Sequence, residues 1–224
     1  MPPVESAIHA TGDEPFTLET PIKISNIKKL HVGDFSFISG VIYTARDKAH
    51  VKIRQNRTHL LSNLEGACIY HSRTHLLSNL EGACIYHSGP IIIQTNKKYR
   101  VVAAGPTTSA RMNEYVPNVI KLGVRVIIGK GGLSDQAVEV MKGRCIYLAF
   151  TGGCGALAQR AIVDVLQIYY PELGETEAVW KLKVKNFGPL IVAIDSYGRS
   201  LYKDVENYSD RKLHELLRIG FPRL

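Results

Sequence analysis

Two turns in this chain place a cation where a strand-like run ends. The first is Gly105-Pro106-Thr107-Thr108-Ser109-Ala110-Arg111-Met112, and the second is Gly129-Lys130-Gly131-Gly132. A helix is predicted over residues 113–122, just beyond the first turn. A helix start offers unpaired backbone N–H groups and the positive end of a dipole, which suit a carboxylate or phosphate. Thr107, Thr108 and Ser109 add hydroxyls, and Arg111 adds a planar fork suited to a carboxylate. The same Thr and Ser residues are also those of an ordinary N-cap. The second turn lacks the G-x-x-x-x-G-K-[ST] spacing, because Gly131 follows Lys130, so an NTP site is not expected. Gly129 and Gly131 would still let the backbone come close to a ligand. A third turn, Thr151-Gly152-Gly153-Cys154-Gly155, leads into Ala156-Leu157-Ala158 and fits G-x-G-x-x-A. A dinucleotide site needs an acidic residue ending the next strand. Asp164 instead falls inside the helix predicted to follow, so close helix packing explains the glycines better. Cys154 is either a low-pKa thiol at a helix start or a buried bystander.

The elements that position these turns repeat one pattern three times. Apolar runs at 101–104, 124–128 and 145–150 are each followed by a turn and a helix-like stretch. Successive strand–turn–helix units imply an α/β fold with parallel strands, and they place the three turns on one sheet edge. Further strands are expected at 22–24, 35–43, 91–93, 99–104 and 179–184, with two more around a turn within 190–202. Residues 47–53 look helical, with Thr44 and Asp47 as a capping box. Arg46 would then lie in the first turn, where a cation opposes the helix dipole. That misfit suits a residue placed for a ligand; an exposed surface Arg is the alternative. A final helix is expected over 209–217 with Ser209 as cap. Residues 1–21 read as an extended arm and 22–224 as one domain, since no linker is rich in Pro, Gly or Ser.

The 224 residues are 45% hydrophobic and 21% charged, ordinary for a globular chain. No apolar run approaches the ~20 residues of a membrane span, and no secretion signal is visible, so a cytoplasmic location away from membranes is expected. The formal charge is +8, and the first 22 residues hold Glu5, Asp13, Glu14 and Glu19 but no Lys or Arg. A basic body can serve nucleic acid, an acidic partner or an anionic substrate, or simply be a solvated surface. No nucleic-acid recognition motif supports the first. Cys68, Cys84, Cys145 and Cys154 form no C-x-x-C pair and read as reduced thiols, not as a disulfide frame or a complete metal site.

Residues 57–72 and 73–88 are the same 16-residue sequence, RTHLLSNLEGACIYHS. Two copies do not make a solenoid, which needs at least three related units. Identity without drift points to a recent duplication, a cloning event or a sequence-assembly error. The second copy runs into Gly89-Pro90, so residues 83–88 are expected to be the strand and the first copy a loop-like insertion.

Ser39-Gly40-Val41-Ile42-Tyr43-Thr44-Ala45-Arg46-Asp47-Lys48-Ala49-His50 resembles the SG-x-x-x-T-x-RD-x-AH stretch of the iron–sulfur (class I) fumarases. The Gly105–Met112 and Gly129–Gly132 turns resemble two more signatures of that family, in the same order. The match covers about residues 20–205 and corresponds to the C-terminal domain, which is a separate β chain in two-subunit members. The tartrate dehydratase β subunit shares the pattern. The resemblance implies a swivelling β/β/α domain, with a parallel sheet core flanked by helices and additional β strands. It implies a [4Fe–4S] cluster held by cysteines of an α subunit, the iron acting as a Lewis acid on the C2 hydroxyl of the substrate. It implies that Arg46, Arg111 and Lys130 grip the carboxylates of a small dicarboxylate, and that Thr107 lies at the reacting carbon as candidate general base. Asp47, His50, Thr108, Gly129 and Gly131 would support them. The expected function is the β subunit of a fumarate hydratase interconverting fumarate and L-malate, a hydro-lyase active only with its α subunit. The alternatives are a tartrate dehydratase β subunit, or a noncatalytic anion-binding or assembly subunit.

Overall fold

Alternation along the strands divides the apolar runs between two cores, and a closing sheet results. The computed structural model describes residues 14–62, 80–95 and 98–219. In chain order the elements are β1 (Phe16–Glu19), α1 (Ile24–Ile27), β2 (Phe35–Thr44), α2 (Asp47–Ser62), β3 (Cys84–Tyr86), β4 (Ile91–Thr95) and β5 (Lys98–Ala103). A 3₁₀ segment (Ser109–Tyr115) runs into α3 (Val116–Lys121). Then come β6 (Val126–Gly129), α4 (Asp135–Met141), β7 (Ile146–Ala149), α5 (Gly155–Ala161), β8 (Ile162–Tyr169), β9 (Val179–Ile194) and α6 (Leu201–Ile219). Strands β2, β3, β6 and β7 are parallel neighbours. The long β9 is antiparallel to β7 on one edge and to β2 on the other, so the pairings return on themselves. Strand β1 extends β2 in parallel, and β8 lies antiparallel on β9.

Strands β3, β6 and β7 are buried on both faces, as parallel strands are. Cys84, Tyr86, Val126, Ile128, Ile146 and Leu148 enter one core with residues of β2 and β9. Ile85, Ile127 and Tyr147 enter a second core, built with Ile53 of α2, Val116, Val119 and Ile120 of α3, and Met141 of α4. Each fully buried large apolar side chain contributes about 1.5–3 kcal/mol.

Several expectations are corrected. The first of the three expected parallel units is absent: β5 pairs antiparallel with β4 in a separate two-stranded sheet. The predicted strand at 22–24 gives way to α1, because three alternating residues are too few to impose a strand. The predicted helix 113–122 starts as the 3₁₀ segment, and its α-helical turn begins only at Val116, with Pro117 favouring that start. Thr44 is no cap. It is buried, and its hydroxyl accepts the Trp180 N–H at 3.0 Å. Residues 162–169, expected to be helical, form β8, so Asp164 lies in a strand. The pair of strands expected in 190–202 is the end of β9 followed by a turn, after which only Ser200 bridges back to Ile194. Helix α6 then starts at Leu201, and Ser209 sits inside it, donating its hydroxyl hydrogen to the Val205 carbonyl. The strand expected in the second copy of the duplication is β3, and the first copy contributes Arg57–Ser62 to the end of α2. The rest of the first copy lies outside the described residues, as do residues 1–13 of the arm; β1 belongs to the arm's described part.

Candidate functional site

Because β3, β6 and β7 are parallel neighbours, their C-terminal ends share one edge of the sheet. The segment after β5 joins them there through the backbone. The Thr107 N–H donates to the His87 carbonyl at 2.7 Å, the Lys130 N–H to the Thr107 carbonyl at 3.2 Å, and the Ser109 N–H to the Lys130 carbonyl at 2.9 Å. Thr108 and Lys130 form a parallel bridge. Residues 107–109 are thus inserted between the ends of β3 and β6 like a short extra strand. The Phe150 N–H donates to the Gly129 carbonyl at 2.8 Å, and the Ala104 N–H to the Gly155 carbonyl at 3.1 Å. The three turns therefore meet although β5 is outside the sheet.

On this frame the side chains gather. Arg111 clamps Asp47 with both arms of its fork, Nε to Oδ1 and Nη2 to Oδ2, each at 3.1 Å. The same Nη2 donates to Thr107 Oγ1 at 2.8 Å. Asp47 is the first residue of α2, so this contact ties the RD segment to the Thr107 turn. Arg46 precedes the helix: its carbonyl accepts the His50 N–H at 2.9 Å. Its Nε lies 3.5 Å from Glu177 Oε1, and Glu177 Oε2 accepts the Lys48 N–H at 3.0 Å. Glu177 thus satisfies an open N–H of α2 and orients Arg46 together. The Arg46 side chain crosses Gly89, where a Cβ would come within 2.6 Å of its Cδ. Lys130 is exposed, with its stem beside Gly152 of the third turn. Among the described residues it has no carboxylate partner, unlike Arg46 and Arg111.

Residues 3–205 match the family model described as Fumarase C-terminus. The chain belongs to this family. It is 42% identical over 198 residues to "Putative L(+)-tartrate dehydratase subunit beta" of Methanocaldococcus jannaschii, covering 86% of this chain and 93% of that one. It is 34% identical over 186 residues to "L(+)-tartrate dehydratase subunit beta" of Escherichia coli K12, covering 82% and 85%. It is also 34% identical over 202 residues to "Putative fumarate hydratase class I" of Geobacillus stearothermophilus, covering 89% of this chain but 36% of that longer one.

Behind the cations of this Fumarase C-terminus chain lies a buried polar layer. It holds His50, expected from sequence as a supporting residue, and Ser109, whose hydroxyl was expected at the ligand turn but is fully buried against His87 and Tyr147. His50 is 2% exposed, stacked on Tyr115 at 5.7 Å and edge-on to His87 at 5.1 Å. Burial lowers its pKa to about 4, with the Asp47 charge opposing. It therefore stands behind the site as a neutral ring. His87 is fully buried, its pKa pushed well below the usual value by burial and then by His50. Its Nδ1 lies 2.9 Å from Ser109 Oγ. The duplication hid His87, since His71 repeats it and the spacing of the pair means nothing. Glu177 had no sequence signal at all, lying far along the chain from Arg46.

Gly129 has a role other than ligand approach. A Cβ there would overlap Ser109 Oγ and lie 3.2 Å from the Tyr147 hydroxyl. Ser109 cannot swing aside without losing its buried partners, so Gly129→Ala is expected to destabilise the chain by about 1–3 kcal/mol. An unchanged denaturation midpoint would refute this. Gly131 has φ +74°, a left-handed conformation that suits glycine. Thr108 is half-buried against that loop.

Among the described residues no three His, Cys, Asp or Glu side chains are grouped to hold a metal ion. Cys84 and Cys145 are buried in different cores, and Cys154 is half-buried on the third turn. Burial pushes the Cys84 and Cys145 thiols up, away from the thiolate form that ligates iron. These cysteines do not fit an iron–sulfur cluster. No helix among the described residues is long and apolar enough to cross a membrane.

Proposed function

We propose that this chain is the β subunit of a two-subunit iron–sulfur hydro-lyase acting on a C4 dicarboxylate. The observation that carries the reading is the Arg111–Thr107 contact at 2.8 Å beside the backbone-locked Lys130 turn. In this reading Arg111, Lys130 and Arg46 bind the two carboxylates, and Thr107 faces the reacting carbon. Removing the C3 proton of a 2-hydroxy diacid builds negative charge on the neighbouring carboxylate. Preorganised cations stabilise that charge more in the transition state than in the ground state, and this difference accelerates the reaction. Thr107 Oγ1 is the atom assigned to the C3 proton. A free alcohol is far too weak an acid to be ionised at neutral pH. The Arg111 N–H aimed at Oγ1 favours the charged form of that oxygen. The cluster belongs, in this reading, to an α subunit, and this domain swivels against it to complete the site.

L-malate and L(+)-tartrate each carry two carboxylates and a C2 hydroxyl, so three cations suit both. Fumarate hydratase is the expectation from motifs. The two relatives named as tartrate dehydratase β subunits match over 93% and 85% of their own lengths, which favours tartrate as the second reading. Anaerobic assembly of the full chain with its α partner, assayed on fumarate, L-malate and L(+)-tartrate, tests the proposal. Turnover of one of them supports it. Tight assembly with no turnover of any would leave a noncatalytic assembly subunit instead.

A further inference from the structure

His87, Ser109 and Tyr147 form a buried chain beneath the turns that carry Thr107 and Lys130. All three side chains are fully buried. His87 Nδ1 lies 2.9 Å from Ser109 Oγ, Ser109 Oγ lies 3.0 Å from the Tyr147 hydroxyl, and that hydroxyl lies 2.8 Å from the Gly131 carbonyl. Counting hydrogens orders the chain. A carbonyl can only accept, so the single phenol hydrogen of Tyr147 goes to Gly131. Ser109 must then donate to Tyr147. Its oxygen is left as an acceptor, so the hydrogen between His87 and Ser109 belongs to His87. The ring is thus neutral with its hydrogen on Nδ1, and the partnerless Nε2 carries only a lone pair. The opposite tautomer would bury an unpaired N–H, which costs about 1–3 kcal/mol.

Both ends of this chain touch the candidate site through backbone. The His87 carbonyl holds the Thr107 N–H, Ser109 holds Lys130, and Tyr147 holds Gly131. We propose that His87, as the Nδ1–H tautomer, is a positioning residue that fixes the Thr107 turn against the Lys130 turn through Ser109 and Tyr147. What the two turns do in catalysis rests on the proposed function; the tautomer and the ordering of the turns do not.

The test uses the full chain first. His87→Asn keeps a donor at the position of Nδ1, His87→Leu removes it, and Ser109→Ala removes the middle link under the mildest change of shape. Amide hydrogen exchange at Thr107, Ser109 and Lys130 is expected to rise about tenfold or more in His87→Leu and Ser109→Ala. His87→Asn restores it, while β6 and β7 stay protected in all three. Nitrogen-15 NMR of the wild type shows His87 protonated on Nδ1 alone. In the assembled complex, the Leu and Ala variants lower kcat by roughly 10–100-fold with KM less affected, and Asn recovers most of it. Exchange that is unchanged at these amides, a rise spread over the whole sheet, a failure of Asn to rescue, or an Nε2–H tautomer overturns the proposal. If the wild-type complex turns over none of the three acids, the proposed function fails, and the exchange and NMR results still decide the role of His87.

Discussion

Arg111→Ala in the assembled complex lowers kcat/KM for the C4 dicarboxylate by roughly 10²–10³-fold, the scale seen when one preorganised donor to developing charge is removed. Three contacts concentrate the effect on activity. Arg111 is 47% exposed in its side chain and Asp47 40%, so their ion pair adds only about 0–1 kcal/mol to stability. The fold should therefore tolerate the loss. The same guanidinium orders Thr107 Oγ1 and ties it to the first residue of α2. Alanine removes the proposed substrate cation, the donor to Thr107 Oγ1 and the link to Asp47 together. Arg111→Lys keeps a charge but not the fork, and its recovery should be small. Steady-state kinetics with a parallel melting curve check both points. Near-normal kcat/KM in Arg111→Ala would refute the assigned role.

Acid weakens this fold well before its carboxylates titrate. His50 and His87 are buried as neutral rings, and both pKa values are lowered from 6.5 by burial, that of His50 to about 4. The unfolded chain therefore binds more protons than the folded one below pH 6.5. Stability from these groups is whole above that value and is lost as pH falls toward the folded pKa. For His50 alone the loss between pH 6.5 and 4 is on the order of 3 kcal/mol, and His87 adds to it. The groups facing His50 are Asp47, whose charge opposes the shift, His87 and the ring of Tyr115. Urea unfolding at pH 7 and pH 4.5 measures the difference. A midpoint that does not move between them would rule the effect out.

The cluster of turns at the sheet edge was legible because its parts are local. Arg111 sits four residues after Thr107, Lys130 directly follows a buried strand, and parallel β6 and β7 bring two of the turns to one edge. The continuous apolar runs over residues 126–129 and 146–149 were legible as strands, while the division of their side chains between two cores emerges only in the structure. Residues 162–169 misled, because a short amphipathic run after a Gly-rich turn reads equally as helix or strand until a partner is known. Here β9 is that partner.

Residue types and their order determined, without coordinates, that an arginine, a lysine and a threonine lie in turns after apolar runs, and which family the chain resembles. Only the tertiary structure decided how the turns meet. Thr107 reaches Lys130 through backbone bonds from a hairpin strand outside the sheet, Glu177 reaches Arg46 from across the chain, and His87, Ser109 and Tyr147 close a hydrogen-bonded line beneath them. Local sequence dictates local conformation and periodicity, which extend a few residues. Pairing between distant segments depends on burial and on satisfying every buried donor and acceptor at once, and those conditions exist only after the chain has closed on itself.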